Sequence, residues 1–145
     1  VAPERLSLQA WIASKSSHLE LYNEVDIALD PFPYNGTTTT CEALWMGVPV
    51  VSLAGGHHAA RVGSSLLSAA GFDAWIAADT ADYVRTAAQL ANSPRLVGAL
   101  RRLLRPELAG SSLCDGAALA RAFEQALRGL WREWCETGTI ARGTP

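Results

Sequence analysis

The chain has 145 residues, of which 49% are hydrophobic and 18% are charged, and its formal net charge is −2. This composition predicts one globular domain with a buried core and excludes a disordered chain. There is no basic stripe for nucleic acid and no apolar run that could span a membrane. The cysteines Cys41, Cys114 and Cys135 form neither a metal motif nor a disulfide framework, which favours a reduced, cytoplasmic protein. Because the start at Val1 shows no initiator Met and no signal peptide, we expect a piece of a longer protein.

Short apolar runs alternate with helical patterns along the chain. The predicted strands cover residues 6–11, 25–30, 48–53 and 74–77. The predicted helices cover 16–24 with Ser16 or Ser17 as N-cap, 38–46, 60–70, Asp79 or Thr80 to 91, 95–104 and 115–135. This alternation predicts an α/β fold with a doubly wound parallel sheet over residues 1–136, and a flexible polar tail over 137–145.

The clearest chemical pattern lies between the strand at 25–30 and the helix at 38–46. It reads Asp30-Pro-Phe-Pro-Tyr-Asn-Gly-Thr-Thr-Thr-Thr-Cys-Glu42. In parallel sheets ligands bind beyond the carboxyl ends of the strands, and a helix N-terminus offers free amides to an anion. Gly36 lets the backbone approach a ligand closely, and Glu42 is an acceptor for two sugar hydroxyls. The pattern therefore fits a pyrophosphate-bearing ligand.

An ordinary structural role explains the same residues as well. Asn35-Gly36 is a common turn, and threonine is a common helix cap. The segment is neither a Walker loop nor a dinucleotide fingerprint, because both glycine spacings are missing. From spacing alone, the turn-and-cap interpretation and the anion-site interpretation both stay open.

Two further groups of polar residues are candidates for the same edge of the sheet. Lys15 and His18 follow the first predicted strand at one-turn spacing, although a solvated lysine and a surface histidine explain them too. His57, His58 and Arg61 follow the strand at 48–53, and Arg61 could meet a phosphate. Adjacent histidines on a loop point apart and no third ligand has usable spacing, so we predict no metal site.

Two longer segments resemble the O-GlcNAc transferase and SPINDLY family of inverting glycosyltransferases, in its bacterial form. The first runs from Asp26-Ile-Ala-Leu-Asp through Asn35-Gly-Thr-Thr-Thr to Glu42-Ala-Leu-Trp-Met-Gly-Val-Pro-Val-Val51. The second is Ala60-Arg-Val-Gly-Ser-Ser-Leu-Leu67. The resemblance covers nearly the whole chain. It implies a Rossmann-like domain that forms the C-terminal half of a GT-B glycosyltransferase.

The resemblance also implies roles for individual residues. Thr38 and Thr39 take the positions of the threonine pair that binds the donor diphosphate, and Glu42 takes that of the acidic residue that holds the ribose. Lys15 and His18 match the pair that lines the nucleoside. Asn35, Gly36 and Thr37 complete the expected donor-binding turn, with Thr37 where animal members have a histidine. Leu21 stands where those members have an arginine, so one expected contact is missing.

The implied activity is transfer of a sugar, GlcNAc from UDP-GlcNAc, to Ser or Thr hydroxyls of a protein acceptor, with no further cofactor. GDP-fucose transfer, as in SPINDLY-type relatives, and a binding module without catalysis are the alternatives. The resemblance places the other GT-B half and helical repeats outside this chain, so no catalytic residue is assigned here and we expect the isolated chain to be inactive. The last helix, with Trp131 and Trp134, is expected to pack on the missing half or on a second copy.

Overall fold

A computed structural model describes residues 2–10, 12 and 14–138. Within these residues, three parallel strands form a sheet in the order β1, β2, β3. The strands are β1 (Ala28–Leu29), β2 (Val50–Leu53) and β3 (Ile76–Ala77). Strands that follow one another in the sequence thus lie side by side, and the helical segments between them provide the crossovers that parallel pairing requires.

The described residues also form α-helices and short 3₁₀ turns. The helices are α1 (Lys15–Glu20), α2 (Thr38–Trp45), α3 (Val62–Ala69), α4 (Thr80–Ala91), α5 (Pro94–Gly110) and α6 (Gly116–Thr137). The 3₁₀ turns are Pro3–Arg5, Leu21–Glu24, His58–Ala60, Asp73–Trp75 and Ser112–Cys114.

The central strand β2 divides the core into two clusters, one on each face of the sheet. Val50 packs into a cluster with residues of α2, α3 and α5, whereas Val51 packs into a cluster with residues of α4 and α5. Successive strand residues point to opposite faces, so β2 is buried on both sides and reads as a continuous apolar run. The helices therefore cover both faces, as the predicted doubly wound arrangement requires.

The strands are shorter than the apolar runs that predicted them. Of residues 25–30 only Ala28 and Leu29 pair, and residues 73–75 form a 3₁₀ turn before β3. The strand predicted over 6–11 is wrong for residues 6–10, which are irregular and leave Leu8 93% exposed; Trp11 lies outside the described residues. An apolar run becomes a strand only where a neighbour pairs with it, and none of the described strands pairs with 6–10.

Several helix ends also differ from the sequence predictions. Ser14 caps α1, where its Oγ accepts from Ser17 N at 3.4 Å, so the predicted caps Ser16 and Ser17 are wrong. The predicted helix 60–70 begins with the 3₁₀ turn and becomes α-helical at Val62. α5 continues six residues beyond the predicted end at 104 and contains Pro106. Burial of Leu104 and Leu108 on either side of Pro106 offsets the hydrogen bond that proline removes.

The last helix, α6, contains no buried residue. Its apolar stripe stays largely exposed, with Trp131 at 66% and Trp134 at 48%. Gly138 ends the helix in the left-handed conformation, so Thr137 is helical rather than part of the predicted tail, and residues 139–145 lie outside the described residues. No helix among the described residues is both long and apolar enough to cross a membrane.

Candidate functional site

The threonine-rich turn lies at the carboxyl edge of the sheet and leads into α2. Thr37 is the N-cap of α2 but makes no side-chain hydrogen bond to the helix. Thr37, Thr38 and Thr39 are exposed, whereas Thr40 is buried. Since the first amides of an α-helix have no partner within it, this end of α2 presents N–H groups and hydroxyls together at the positive end of the helix dipole.

A buried carboxylate, which the sequence analysis did not assign to the site, holds this turn. Asp30 follows β1 and is 3% exposed. Its Oδ1 accepts from Gly36 N at 2.7 Å, and its Oδ2 accepts from Ser52 Oγ at 2.6 Å. Its backbone carbonyl accepts from the Tyr83 hydroxyl at 2.9 Å. Asp30 thereby connects the turn to β2 and α4. An acidic residue that directly follows a predicted strand is the sequence signal for it.

Burial raises the pKa of Asp30 above its ordinary value, while the hydrogen bonds from Ser52 and Gly36 oppose the rise. Desolvation penalises the charged form, and donated hydrogen bonds favour it. Burial is the larger of these effects, so ionised Asp30 is held at a cost to stability.

Asn35 is buried at 2% exposure, and both polar ends of its side chain are engaged by the protein. Its Nδ2 donates to Pro31 O at 3.0 Å, and its Oδ1 accepts from Gly63 N at 3.3 Å. Its own backbone N–H donates to Ala59 O at 2.8 Å. These bonds hold the turn against the segment that follows β2. Donor binding by the Asn35 side chain stays a prediction.

Gly36 is closely packed inside the turn. A Cβ at this position would lie 2.6 Å from Thr39 Oγ1 and 2.7 Å from Thr40 Oγ1, which is closer than side chains tolerate. Packing within the protein therefore favours a glycine at position 36. The predicted close approach of a ligand to its backbone would favour a glycine as well. The preceding loop contains a cis peptide bond between Phe32 and Pro33.

His18 and Glu42, predicted for one site, are brought together across 24 residues. His18 Nε2 lies 3.1 Å from Glu42 Oε2, and the two side chains are 40% and 21% exposed. The Tyr22 ring packs edge-on against His18, and its hydroxyl donates to Thr39 O at 3.3 Å. Burial, and then the Glu42 carboxylate, raise the pKa of Tyr22, which favours the neutral donor form. α1 and the Leu21–Glu24 turn are thus docked on the start of α2.

A cavity of about 420 Å³ opens beside this pair. Three of the predicted site residues line it, namely Lys15, Thr38 and Glu42. Its other lining residues are Leu19, Cys41, Trp45, Leu108, Leu113 and Cys114. The members from α5 and the Ser112–Cys114 turn were missed by sequence reasoning, because ordinary apolar residues so distant along the chain give no local signal. A cavity with an apolar wall and a few polar groups is typical of a small-molecule site.

The candidates that follow β2, namely His57, His58 and Arg61, do not line the cavity of Lys15 and Glu42. His58 and Arg61 line a separate, open cavity of about 740 Å³ with Ser64, Ser65 and Ser68 of α3. His57 precedes the 3₁₀ turn and does not line that cavity. His58 and Arg61 therefore line a different cavity from Lys15 and Glu42. In the part of the chain that the structure describes, no group of three His, Cys, Asp or Glu residues could hold a metal ion.

Among solved structures, the chain resembles a mutant of the O-GlcNAc transferase of Thermobaculum terrenum. The TM-score is 0.87 at 40% sequence identity, over 96% of this chain and 26% of that one. This similarity confirms the predicted α/β fold, a part of a GT-B glycosyltransferase.

The curated relatives include two SPINDLY proteins of plants, each named as a probable UDP-N-acetylglucosamine–peptide N-acetylglucosaminyltransferase. The tomato protein (Solanum lycopersicum) is 43% identical over 134 residues, which is 92% of this chain and 14% of the relative. The Arabidopsis thaliana protein is 41% identical over 133 residues, 92% of this chain and 15% of the relative. The chain thus spans only a small part of the relatives it matches.

The family described as Glycosyl transferase family 41 matches residues 1–122, which include every candidate site residue named above. The predicted family resemblance is thereby confirmed, and the chain belongs to glycosyl transferase family 41.

Proposed function

We propose that this chain is the donor-binding part of an inverting glycosyltransferase that transfers GlcNAc from UDP-GlcNAc to Ser or Thr hydroxyls of a protein. The observation that supports this most directly is the exposed, uncapped start of α2, with the His18–Glu42 pair and a cavity beside it. The names of the plant and bacterial relatives supply the donor and the acceptor.

The donor diphosphate binds at the start of α2 in this proposal. Thr38 and Thr39 are exposed there, so their amides and hydroxyls are open to phosphate oxygens. The positive end of the helix dipole adds to the attraction. As the glycosidic bond to the diphosphate breaks, the same groups stabilise the charge that develops on the leaving group.

The nucleoside binds beside Glu42. The carboxylate accepts hydrogen bonds from the ribose hydroxyls, and His18 keeps it oriented from 3.1 Å away. Lys15 lies in the same cavity, whose apolar wall of Leu19, Trp45 and Leu113 offers a surface for a flat base. Leu21 supplies no charge where animal members have an arginine, so the donor is held by fewer cations here.

We assign no catalytic residue to this chain, because in this proposal the base that acts on the acceptor hydroxyl lies in the other half of the GT-B enzyme. The isolated chain is expected to bind the donor without transferring the sugar. The whole enzyme acts in the cytoplasm and takes its acceptor protein through segments that are not in this sequence. In isolation, the exposed stripe of α6 pairs with a second copy of the chain.

Calorimetric titration of the 145-residue chain with UDP, GDP and uridine tests the proposal. We expect UDP to bind at least about tenfold more tightly than uridine, since the diphosphate adds charge-assisted hydrogen bonds. Replacing both Thr38→Val and Thr39→Val removes the two hydroxyls but keeps the amides, so it should reduce that difference and leave uridine binding intact. The matched control is Thr80→Val, an exposed threonine at the first position of α4, which leaves UDP binding unchanged.

The other outcomes separate the alternatives. Tighter binding of GDP than of UDP contradicts the UDP-GlcNAc donor and supports GDP-fucose. Binding of no nucleotide contradicts the donor-binding proposal and supports an interaction module that lacks catalysis.

A further inference from the structure

Asp30 is a buried carboxylate for which the proposed chemistry has no use. Both of its oxygens are occupied, Oδ1 by Gly36 N and Oδ2 by Ser52 Oγ. With 3% exposure it offers nothing to a ligand directly. We propose that Asp30 is a positioning residue, which holds the threonine-rich turn in its diphosphate-binding shape before the ligand arrives. This inference rests on the proposed function of the turn.

Asp30 controls the shape of the turn through its hydrogen bond with Gly36 N. Gly36 directly precedes Thr37, the N-cap of α2, so fixing its N–H fixes the direction from which the chain enters the helix. The amide of Gly36 is also withdrawn from the ligand, which leaves the amides of the first helical turn to meet phosphate oxygens. A turn that is held in advance loses less conformational entropy on binding, and binding is correspondingly tighter.

The anchor at the other end of Asp30 is rigid. Ser52 belongs to the buried strand β2 and is 0% exposed, and Tyr83 on α4 holds the Asp30 carbonyl. The carboxylate thus fixes the turn to the sheet, because it accepts hydrogen bonds from Ser52 Oγ at 2.6 Å and from Gly36 N at 2.7 Å. Thr37, Thr38 and Thr39 lie outside this network at the surface, where a ligand can reach them.

The start of α3 explains how a negative charge is tolerated beneath a site for an anion. A Cβ at Gly63 would lie 2.1 Å from Asp30 Oδ2 and 2.3 Å from Ser52 Oγ, so the first turn of α3 passes directly against the carboxylate. The positive end of the α3 dipole is therefore close to Asp30 and offsets its charge. The two donated hydrogen bonds disperse that charge further.

The test uses variants that differ in how many of these contacts they keep. Asp30→Asn retains an oxygen for Gly36 N, and its amide donates to Ser52 Oγ, which can also accept. Asp30→Ala removes both contacts. Asp26→Ala is the matched control, because it removes a carboxylate from an exposed position four residues earlier. UDP and uridine are titrated into each 145-residue chain.

We expect Asp30→Ala to weaken UDP about tenfold while uridine binding stays within about twofold, because only the diphosphate depends on the turn. Asp30→Asn and Asp26→Ala remain within about threefold of the unmodified chain for both ligands. Equal weakening of UDP and uridine in Asp30→Ala, or no weakening of UDP, overturns the positioning role. If the unmodified chain itself binds no nucleotide, the proposed function fails instead.

Amide hydrogen exchange on the unmodified chain tests the inference without a variant that must fold. We expect the Gly36 amide to be protected before nucleotide is added and unchanged afterwards, while the amides of Thr38 and Thr39 gain protection with UDP. Rapid exchange at Gly36 in the free chain, slowed only by UDP, would mean that the ligand rather than Asp30 orders the turn, and the inference would be wrong.

Discussion

The threonine-rich turn and helix α6 are both evident in the sequence, but only the turn is held by buried side chains of other elements. Asp30 and Asn35 accept hydrogen bonds from Ser52 of β2, Gly63 of α3 and Tyr83 of α4, which bind the turn to these three elements, and the exposed threonines of the turn are polar. α6 has a regular apolar stripe, and none of its residues is buried. Exposed polar groups held in place by buried hydrogen bonds are typical of a ligand site. An exposed apolar stripe is typical of a surface that another protein segment covers.

The largest effect is expected where the turn, β2 and α3 meet. Gly63→Ala places a Cβ within 2.3 Å of both Asp30 Oδ2 and Ser52 Oγ, and neither can move without breaking their hydrogen bond. We expect a loss of about 2–4 kcal/mol in the free energy of unfolding, measured with urea. The control is Gly98→Ala in α5, where a Cβ meets open space and alanine favours the helix. Equal stability of the two variants would contradict the tight contact.

Changes to α6 are expected to affect association and leave the turn unaltered. Trp131→Glu together with Trp134→Glu puts charge into the exposed stripe, so self-association should weaken by more than about tenfold in sedimentation experiments. The affinity for UDP and the stability of the chain should stay the same. A chain that is monomeric without any substitution would contradict the proposed pairing of α6.

Glu42→Ala distinguishes the two parts of the donor site. Removing the carboxylate should weaken UDP and uridine alike, by roughly fivefold to tenfold, because the ribose is common to both. Glu20→Ala, an exposed glutamate at the end of α1, is the control and should change neither. Loss of UDP binding with unchanged uridine binding would contradict the ribose contact and indicate that Glu42 acts on the diphosphate instead. Calorimetry with both ligands makes the distinction.

The smallest expected effect is the pH dependence that Asp30 contributes to stability. Its pKa is raised in the folded chain, so its stabilising contribution is complete below the ordinary aspartate value of about 3.9 and is lost as the pH rises through the raised pKa. Asp30→Asn lacks this titration. In urea unfolding of both chains across that pH range, the free energy of unfolding of Asp30→Asn should therefore rise relative to that of the unmodified chain as the pH increases. A difference in unfolding free energy that is constant with pH would contradict the raised pKa.

Much of the fold was predictable because its pattern is local. The apolar runs around Val50 and Ile76 and the amphipathic helices between them indicate a parallel sheet covered on both faces. The run at 6–10 was misjudged because pairing with a neighbour, rather than composition, makes a strand. α5 extends beyond the predicted end at 104 and past Pro106, because burial of Leu104 and Leu108 keeps the helix continuous where a proline normally ends it.

For the site, the sequence by itself determined which groups are present: a threonine-rich helix start, a glutamate one turn later, and a lysine and a histidine earlier in the chain. Only the tertiary structure decided that His18 meets Glu42, that His58 and Arg61 line a different cavity, and that Asp30 supports the turn. The physical reason is that helix starts and apolar periodicity depend on neighbouring residues. Contacts between residues 22 or more positions apart depend on how the elements pack.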